Sequence, residues 1–195
     1  MVINKDEATE ALSTISAANN RANSMQLNKH MSPHLILWGV IWLVANSITE
    51  LQPVWANTAW LLLTIGGAAI SMWLGMRSYQ VDTRAAVTGV QTHTASKYSW
   101  QFAITGAVIF VYFVALFAVI PKLDPKQINA IISLFWAFSY MLLGTWISKR
   151  VLLVGLLAGM STLIGYFYVS EHYFLWMGLV SGGFLILGGL WLRKV

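Results

Sequence analysis

The chain of 195 residues contains no cysteine and few charged residues. The absence of cysteine excludes disulfide frameworks, thiolate metal sites, cysteine nucleophiles and Cys-ligated iron–sulfur clusters. Charged residues make up 10% of the chain, whereas apolar residues make up 57% and the mean hydropathy is +0.65. An average soluble domain has about 25% charged residues. This composition therefore excludes an ordinary soluble domain and predicts a protein of the lipid bilayer.

The amino-terminal 34 residues are polar and carry both signs of charge. They lack the early apolar core and the small-residue cleavage site of a secretory leader, so we expect no cleavable signal peptide. Asn4 and Glu7 resemble a capping box, and apolar residues recur at helical spacing from Ala8 to Met25. The sequence predicts a short amphipathic helix at residues 5–27, within a cytoplasmic segment of residues 1–34.

Apolar runs bounded by polar residues, proline or glycine predict an all-α bundle of six transmembrane helices in residues 35–195. The predicted spans are 35–49, 58–76, 98–120, 128–147, 151–169 and 173–192. The first span is shorter than the ~20 residues that cross a bilayer. It ends in polar residues that include Asn46 and Glu50.

Three sites carry helix-start signals. Ser32 and Asp124 each stand directly before a proline, which favours a capped helix start at that point. Gln127 follows Asp124 by three residues, as in a capping box. Ser170 before Glu171 predicts a start that would place Glu171 in the first turn of the last span, where the helix dipole favours an acid.

The basic residues predict the orientation of these spans. With a cytoplasmic amino terminus, only Lys122 and Lys126 lie outside, and the other ten of the 12 basic residues lie inside. Such an excess in short loops follows the positive-inside rule. We therefore expect both termini in the cytoplasm and the protein in a bacterial inner membrane.

Glycines spaced by four residues predict close contacts between helices. Gly155 and Gly159 form such a pair in the fifth span, and Gly178 and Gly182 form one in the sixth. Small faces of this kind let helix backbones approach closely inside a bilayer. They favour packing within one bundle, and contacts in a homo-oligomer are the alternative.

A search for catalytic or metal-binding groups finds little. No ionisable residue lies in the middle of a predicted span, although proton-coupled carriers, bis-His haem proteins and retinal proteins need such residues. His30 and His34 have the i, i+4 spacing of a zinc pair, but a helix start at Ser32 would separate them. The sequence therefore predicts no catalytic residues, no metal and no cofactor. The scattered basic residues indicate no nucleic-acid partner.

One constellation in the first span resembles a ligand pocket. Trp38, Trp42, Asn46 and Glu50 recur every four residues and share one helix face. Glu171 and His172 belong to a loop on the same predicted side of the membrane. Aromatic faces attract cations and a carboxylate supplies the counter-charge, so these six residues are the candidate pocket. The alternative is that Asn46 bonds a neighbouring helix and Glu50 is solvated.

Two functional hypotheses follow from these patterns. The missing catalytic and coupling groups favour a non-enzymatic accessory, regulatory or sensing subunit, which would dock a protein partner through the amino-terminal helix and the cytoplasmic loop 77–97. The alternative is a small channel or transporter for an uncharged or monocationic solute, entered through the outward-facing pocket.

Overall fold

The computed structural model of the chain describes residues 5–87, 108–109, 111–120, 122–146 and 148–194. These ranges are helical apart from short connections, and they contain no strand. They include five helices long and apolar enough to cross a membrane: Leu27–Leu51, Pro53–Arg77, Pro125–Trp146, Lys149–Tyr168 and Tyr173–Arg193. The predicted all-helical class is confirmed, and the chain has the helices of a multi-pass membrane protein.

The first helix, α1, runs without interruption over Lys5–Leu51. The helix start predicted at Ser32 is wrong, because Pro33 lies inside α1. The Ser32 hydroxyl instead donates a hydrogen bond to the carbonyl oxygen of Gly189 at 2.7 Å. The predicted amphipathic helix and the first span are thus one helix, which passes through residue 34 without a break. Its spanning part has 25 residues, so the predicted shortness of this span disappears.

The 47 residues of α1 correspond to a length of about 70 Å at 1.5 Å per residue. A bilayer core is only about 30 Å thick. The helix is therefore much longer than one crossing requires, and residues such as Leu12 and Ile15 in the part before Leu27 are 67% and 64% exposed.

A short turn of 3₁₀ helix, Pro53–Trp55, connects α1 to helix α2, Ala56–Val87. Helix α2 packs against α1, and only 6% of its spanning window is buried. Leu61, Leu62 and Ile65 are each about 60% exposed or more. These side chains are apolar, so a lipid environment suits this face of α2.

Helices α3, Pro125–Trp146, and α4, Lys149–Tyr168, form a closely packed pair. The capping box predicted at the start of α3 is confirmed. The Asp124 carboxylate accepts a hydrogen bond from the Gln127 N–H at 2.7 Å, and the Gln127 side chain accepts one from the Asp124 N–H at 3.1 Å.

The last span is continuous over Tyr173–Arg193 and changes its helical pitch on the way. It begins as helix α5, Tyr173–Trp176, widens to π-helix over Met177–Gly182, and continues as helix α6, Gly183–Arg193. The start predicted near Ser170 is wrong, because the first helical residue is Tyr173 and Glu171 lies in the preceding turn.

The third predicted span, 98–120, falls partly outside the described residues. Residues 98–107 are not described, whereas 111–119 are helical. The rings of Tyr112 and Phe113 lie 5.8 and 4.7 Å from the ring of Phe135. This helical segment therefore lies beside α3.

The order of contacts is α2 on α1, α1 on the last span, the last span on α4, and α4 on α3. All four glycines singled out in the sequence lie at these contacts. A methyl group on Gly182 would be 3.0 Å from the Gly39 carbonyl oxygen, and one on Gly178 would be 3.1 Å from that of Leu43. Gly155 and Gly159 similarly face Ala137 of α3.

The bundle has two ends, which are named after Glu50 and Asn28 of α1. The Glu50 end contains the start of α3 and the start of the last span, since Glu50 contacts His172 and Asn46 contacts Asn129. The Asn28 end contains the turn between α3 and α4, where the Ser148 hydroxyl donates to the Asn28 side-chain oxygen at 3.0 Å.

Candidate functional site

A chain of buried hydrogen bonds links three helices near the Glu50 end. Asn46 of α1 is fully buried, with 0% exposure. Its amide nitrogen donates to the Trp42 carbonyl oxygen at 2.8 Å, and its amide oxygen accepts from the Asn129 amide at 2.8 Å. The Tyr173 hydroxyl donates to the Asn129 oxygen at 3.2 Å. The network thus joins α1, α3 and the last span through side chains alone.

Each donor and acceptor used in this network has a partner inside the protein. A buried polar group left without a partner costs about 1–3 kcal/mol, whereas a side-chain hydrogen bond between membrane helices contributes about 0.6 kcal/mol on average. Removing one member should therefore cost more than the bond itself contributes. Because Asn46 has no exposed surface, its side chain depends on these partners inside the protein.

Lys126 adds a positive charge at the edge of this network. Its ammonium lies 5.0 Å from the centre of the Tyr173 ring and 5.2 Å from that of Tyr166. It also donates a hydrogen bond to the Val169 carbonyl oxygen at 3.3 Å. Cation–π contacts and this carbonyl hold the lysine over two aromatic faces, so the start of α3 is attached to the connection that precedes the last span.

Glu50 serves the first turn of the last span. One carboxylate oxygen accepts the backbone N–H of Phe174 at 3.1 Å, and the other lies 3.2 Å from the His172 Nδ1. The first N–H groups of a helix have no intrahelical partner, and a carboxylate there also interacts favourably with the helix dipole. Glu50 is therefore a cap supplied by another helix. The His172 side chain is 72% exposed, so its ion pair with Glu50 contributes little.

The tryptophans of the first span face α2. The Trp42 ring meets the Trp60 ring edge to face at 5.0 Å. The Trp60 indole N–H donates to the Thr49 hydroxyl at 3.0 Å, and the Trp38 indole N–H donates to the Ser71 hydroxyl at 3.2 Å. Of the two tryptophans predicted to line a pocket, Trp38 thus bonds α2 through its indole N–H and Trp42 contacts α2 through its ring.

Only some of the six predicted pocket residues come together in the structure. Glu50 and His172 are in contact, and Asn46 is bonded to Trp42 through the backbone. Trp38 instead bonds α2, and Glu171 is exposed. Ligand binding by this set remains a prediction.

Sequence reasoning missed Asn129, Tyr173 and Trp60, although they complete these contacts. Asn129 carries one readable signal, since it is an amide in the first turns of an apolar helix that begins at Pro125. Tyr173 and Trp60 resemble ordinary interfacial aromatic residues, and nothing local in the sequence distinguishes them.

The structure offers little elsewhere for catalysis or metal binding. Across the described ranges, no group of three or more His, Cys, Asp or Glu side chains is placed to hold a metal ion. His30 and His34 do share one continuous helix, contrary to the predicted separation. Ser161 is buried and shares a hydrogen bond of 2.7 Å with Ser181, as expected of a serine in a packed interface.

Comparisons with known protein families, with curated proteins and with solved structures found no match to this chain.

Proposed function

We propose that this protein is a non-enzymatic accessory, regulatory or sensing subunit of a bacterial inner membrane, which docks a protein partner on its cytoplasmic side. The observation that carries the proposal is the extension of α1. The part of this helix before the spanning residues is about 33 Å long at 1.5 Å per residue, and its apolar side chains Leu12 and Ile15 are more than 60% exposed.

Most helical stability in proteins comes from packing of an apolar face. The described residues leave that face uncovered. The polar residues inside the bundle support the same proposal, since Asn46, Asn129 and Tyr173 are occupied with one another. The polar groups of the bundle interior are thus already bonded, whereas the exposed apolar face of the α1 extension is free to contact a partner.

The proposal includes six spans with both termini in the cytoplasm. Helix α2 begins at the Glu50 end, where Trp60 bonds Thr49, and leads towards the opposite end. The next described long helix, α3, begins again at the Glu50 end, where Asn129 bonds Asn46. The connection between them must therefore return across the bundle once, which supports a sixth crossing at the predicted span 98–120. The positive-inside distribution supports the orientation.

The chain contains no cysteine, so single cysteines can be introduced for a topology experiment. Single cysteines at Ser13, Ser148 and Lys194 should react with an impermeant maleimide only after the cytoplasmic membrane is opened. Cysteines at Gln52, Lys122 and Glu171 should react in intact cells. Labelling of the cysteines at Gln52 and Lys122 from opposite sides of the membrane would contradict the sixth span. If instead the first three positions reacted in intact cells and the last three only after opening, the orientation would be contradicted.

The docking role is tested by deleting residues 2–26 and, separately, by replacing residues 88–97 with a Gly/Ser linker of equal length. Both variants leave Asn28 in place, so the contact with Ser148 and the bundle should persist. We expect the protein to remain folded but to lose its copurifying partner and to show the phenotype of a full deletion. If both variants restored the wild-type phenotype to a strain that lacks the protein, the proposal would be contradicted.

A further inference from the structure

The face of α1 that packs against the last span follows a strict heptad pattern. The α1 residues that face Gly189, Gly182 and Gly178 are Ser32, Ile36, Gly39, Leu43 and Asn46. Their spacing of four, three, four and three residues is that of positions a and d in a coiled coil. The a and d positions of this heptad pattern thus mark the side of α1 that the last span covers.

This pattern continues towards the amino terminus, past the end of the last span. Counting back from Ser32, the next position is Lys29, and the positions before it are Met25, Ala22, Ala18, Ile15, Ala11 and Ala8. These last six residues, all apolar, are called the amino-terminal seam. Ala11, Ile15, Ala18 and Ala22 are exposed and Met25 is partly exposed. The helix of the last span is described as far as Arg193, so among the described residues no helix continues it along the seam.

Exposed cations surround the base of the seam. Lys29 stands between the seam and Ser32, Lys149 follows the residue that bonds Asn28, and Arg193 and Lys194 end the last span. All four side chains are exposed, and none forms an ion pair with a carboxylate in the part of the chain that the structure describes. A partner that reaches this level would bring negative charge to them.

A second copy of the chain fits this seam poorly. Two parallel α1 helices in contact through their seams would have axes 8–10 Å apart. Their spans would then meet on the face that the last span already occupies, where Gly182 lies against Gly39. An antiparallel pair would place the second bundle outside the membrane. The occupant must be a segment that ends near the membrane surface, in line with the last span.

We propose that the amino-terminal seam binds one amphipathic helix of a partner protein, seated as a cytoplasmic continuation of the last span. The partner helix presents apolar a and d residues to the seam and carries Asp or Glu at its end nearest the membrane, facing Lys29, Lys149, Arg193 and Lys194. A seven-residue repeat on both helices winds them into a left-handed pair. This inference rests on the proposed docking function and specifies the surface and the chemistry of the partner.

The experiment places a photoreactive benzoylphenylalanine at single positions of the full-length protein in native membranes. Ala18 and Ile15 lie on the seam, whereas their neighbours Ala17 and Ser16 lie on the far side of α1. We expect cross-linking to the partner to be at least about fivefold stronger from Ala18 and Ile15 than from Ala17 and Ser16, because positions a and d face the partner helix in a heptad pair. Mass spectrometry of the cross-linked peptide should identify a helix with the stated apolar repeat and acidic end.

Matched substitutions test the same surface without the probe. Ala18→Asp places a charge on the seam, and Ala17→Asp places it one residue away, with the same cost in helix propensity. We expect Ala18→Asp to weaken recovery of the identified partner by about tenfold or more, because burying an unpaired carboxylate is costly, and Ala17→Asp to leave it unchanged. Lys149→Gln with Arg193→Gln should weaken recovery as well, while membrane insertion and thermal stability stay at wild-type values.

The outcomes separate this inference from the proposed function. Equal cross-linking of a partner from both faces of α1, or a partner peptide without acidic residues, would overturn the seam inference and leave the docking function standing. Cross-links from Ala18 to residues 88–107, to a second copy or to lipid alone would also overturn the inference. If deleting residues 2–26 and replacing residues 88–97 left the partner bound and the wild-type phenotype unchanged, the docking function itself would be overturned.

Discussion

The Glu50 carboxylate at the end of α1 accepts a hydrogen bond at 3.1 Å from the backbone N–H of Phe174, which lies 124 positions later in the chain. Glu50 also lies beside His172, and four residues earlier Asn46 bonds Asn129. The polar end of the first span therefore fixes the start of the last span and its contact with α3.

Replacing Glu50 tests its role as a cap. Glu50→Ala should lower the free energy of unfolding by about 1–2 kcal/mol, because an N–H at a helix start loses its charged acceptor. Glu50→Gln should cost less, since the amide oxygen still accepts. Reversible unfolding in mixed detergent micelles measures both values.

The matched control for the cap is Glu171→Gln. Glu171 is close in sequence to the same helix start but exposed, so its substitution should change stability by no more than about 0.5 kcal/mol. Equal losses for Glu50 and Glu171 would show that general charge, and not the bond to Phe174, is responsible.

The buried network predicts a coupled loss of stability. Asn129→Ala leaves the Asn46 side-chain oxygen and the Tyr173 hydroxyl without their partner. We therefore expect the free energy of unfolding to fall by about 1–3 kcal/mol. A double-mutant cycle with Asn46→Ala should give a coupling energy between about 0.6 and 1.7 kcal/mol. Strictly additive losses would mean that the two amides do not interact.

Two neighbouring glycines give a sharp test of the contact between α1 and the last span. A methyl group on Gly182 would be 3.0 Å from the Gly39 carbonyl oxygen, whereas one on Gly183 would meet nothing within 4 Å. Gly182→Ala should therefore destabilise the protein by about 1–3 kcal/mol through overpacking. Gly183→Ala should be neutral or stabilising by up to about 1 kcal/mol, because alanine favours a helix.

Thermal unfolding of the two alanine variants in one detergent decides between the possibilities. If Gly183→Ala were the more destabilising of the pair, the last span would have to present a different face to α1.

The docking and pocket hypotheses differ in what they expect of transport. A pocket that binds monovalent cations predicts uptake of methylammonium by proteoliposomes containing the protein, with loss of uptake in an Asn46→Ala, Glu50→Gln double variant. The docking proposal predicts background uptake for the wild type and the variant alike. Wild-type uptake above that of empty liposomes would contradict the docking proposal's expectation, and unchanged uptake in the variant would contradict the pocket.

Residues that act locally were predictable, and those that act across the bundle were not. The capping box of Asp124 and Gln127 was readable because its partners are three residues apart. Ser32 before Pro33 carries the same kind of signal but does not begin a helix. Its hydroxyl bonds Gly189, 157 positions away, and Pro33 lies inside the continuous helix α1.

The sequence by itself determined the all-helical class and the membrane-spanning character, because hydropathy and the need to satisfy backbone hydrogen bonds in lipid leave few alternatives. It also indicated the pairs Gly155–Gly159 and Gly178–Gly182, which lie at helix contacts, but not Gly39 or Gly189, which lie at such contacts as well. Only the tertiary structure decided that Asn46 bonds Asn129, that Glu50 and not Glu171 interacts with the first turn of the last span, and that α1 outlasts its partner helix. Those relationships join residues about 80 to 120 positions apart or depend on where two helices end relative to each other. Local pattern carries no information about either, since it is helix packing that sets which side chains meet.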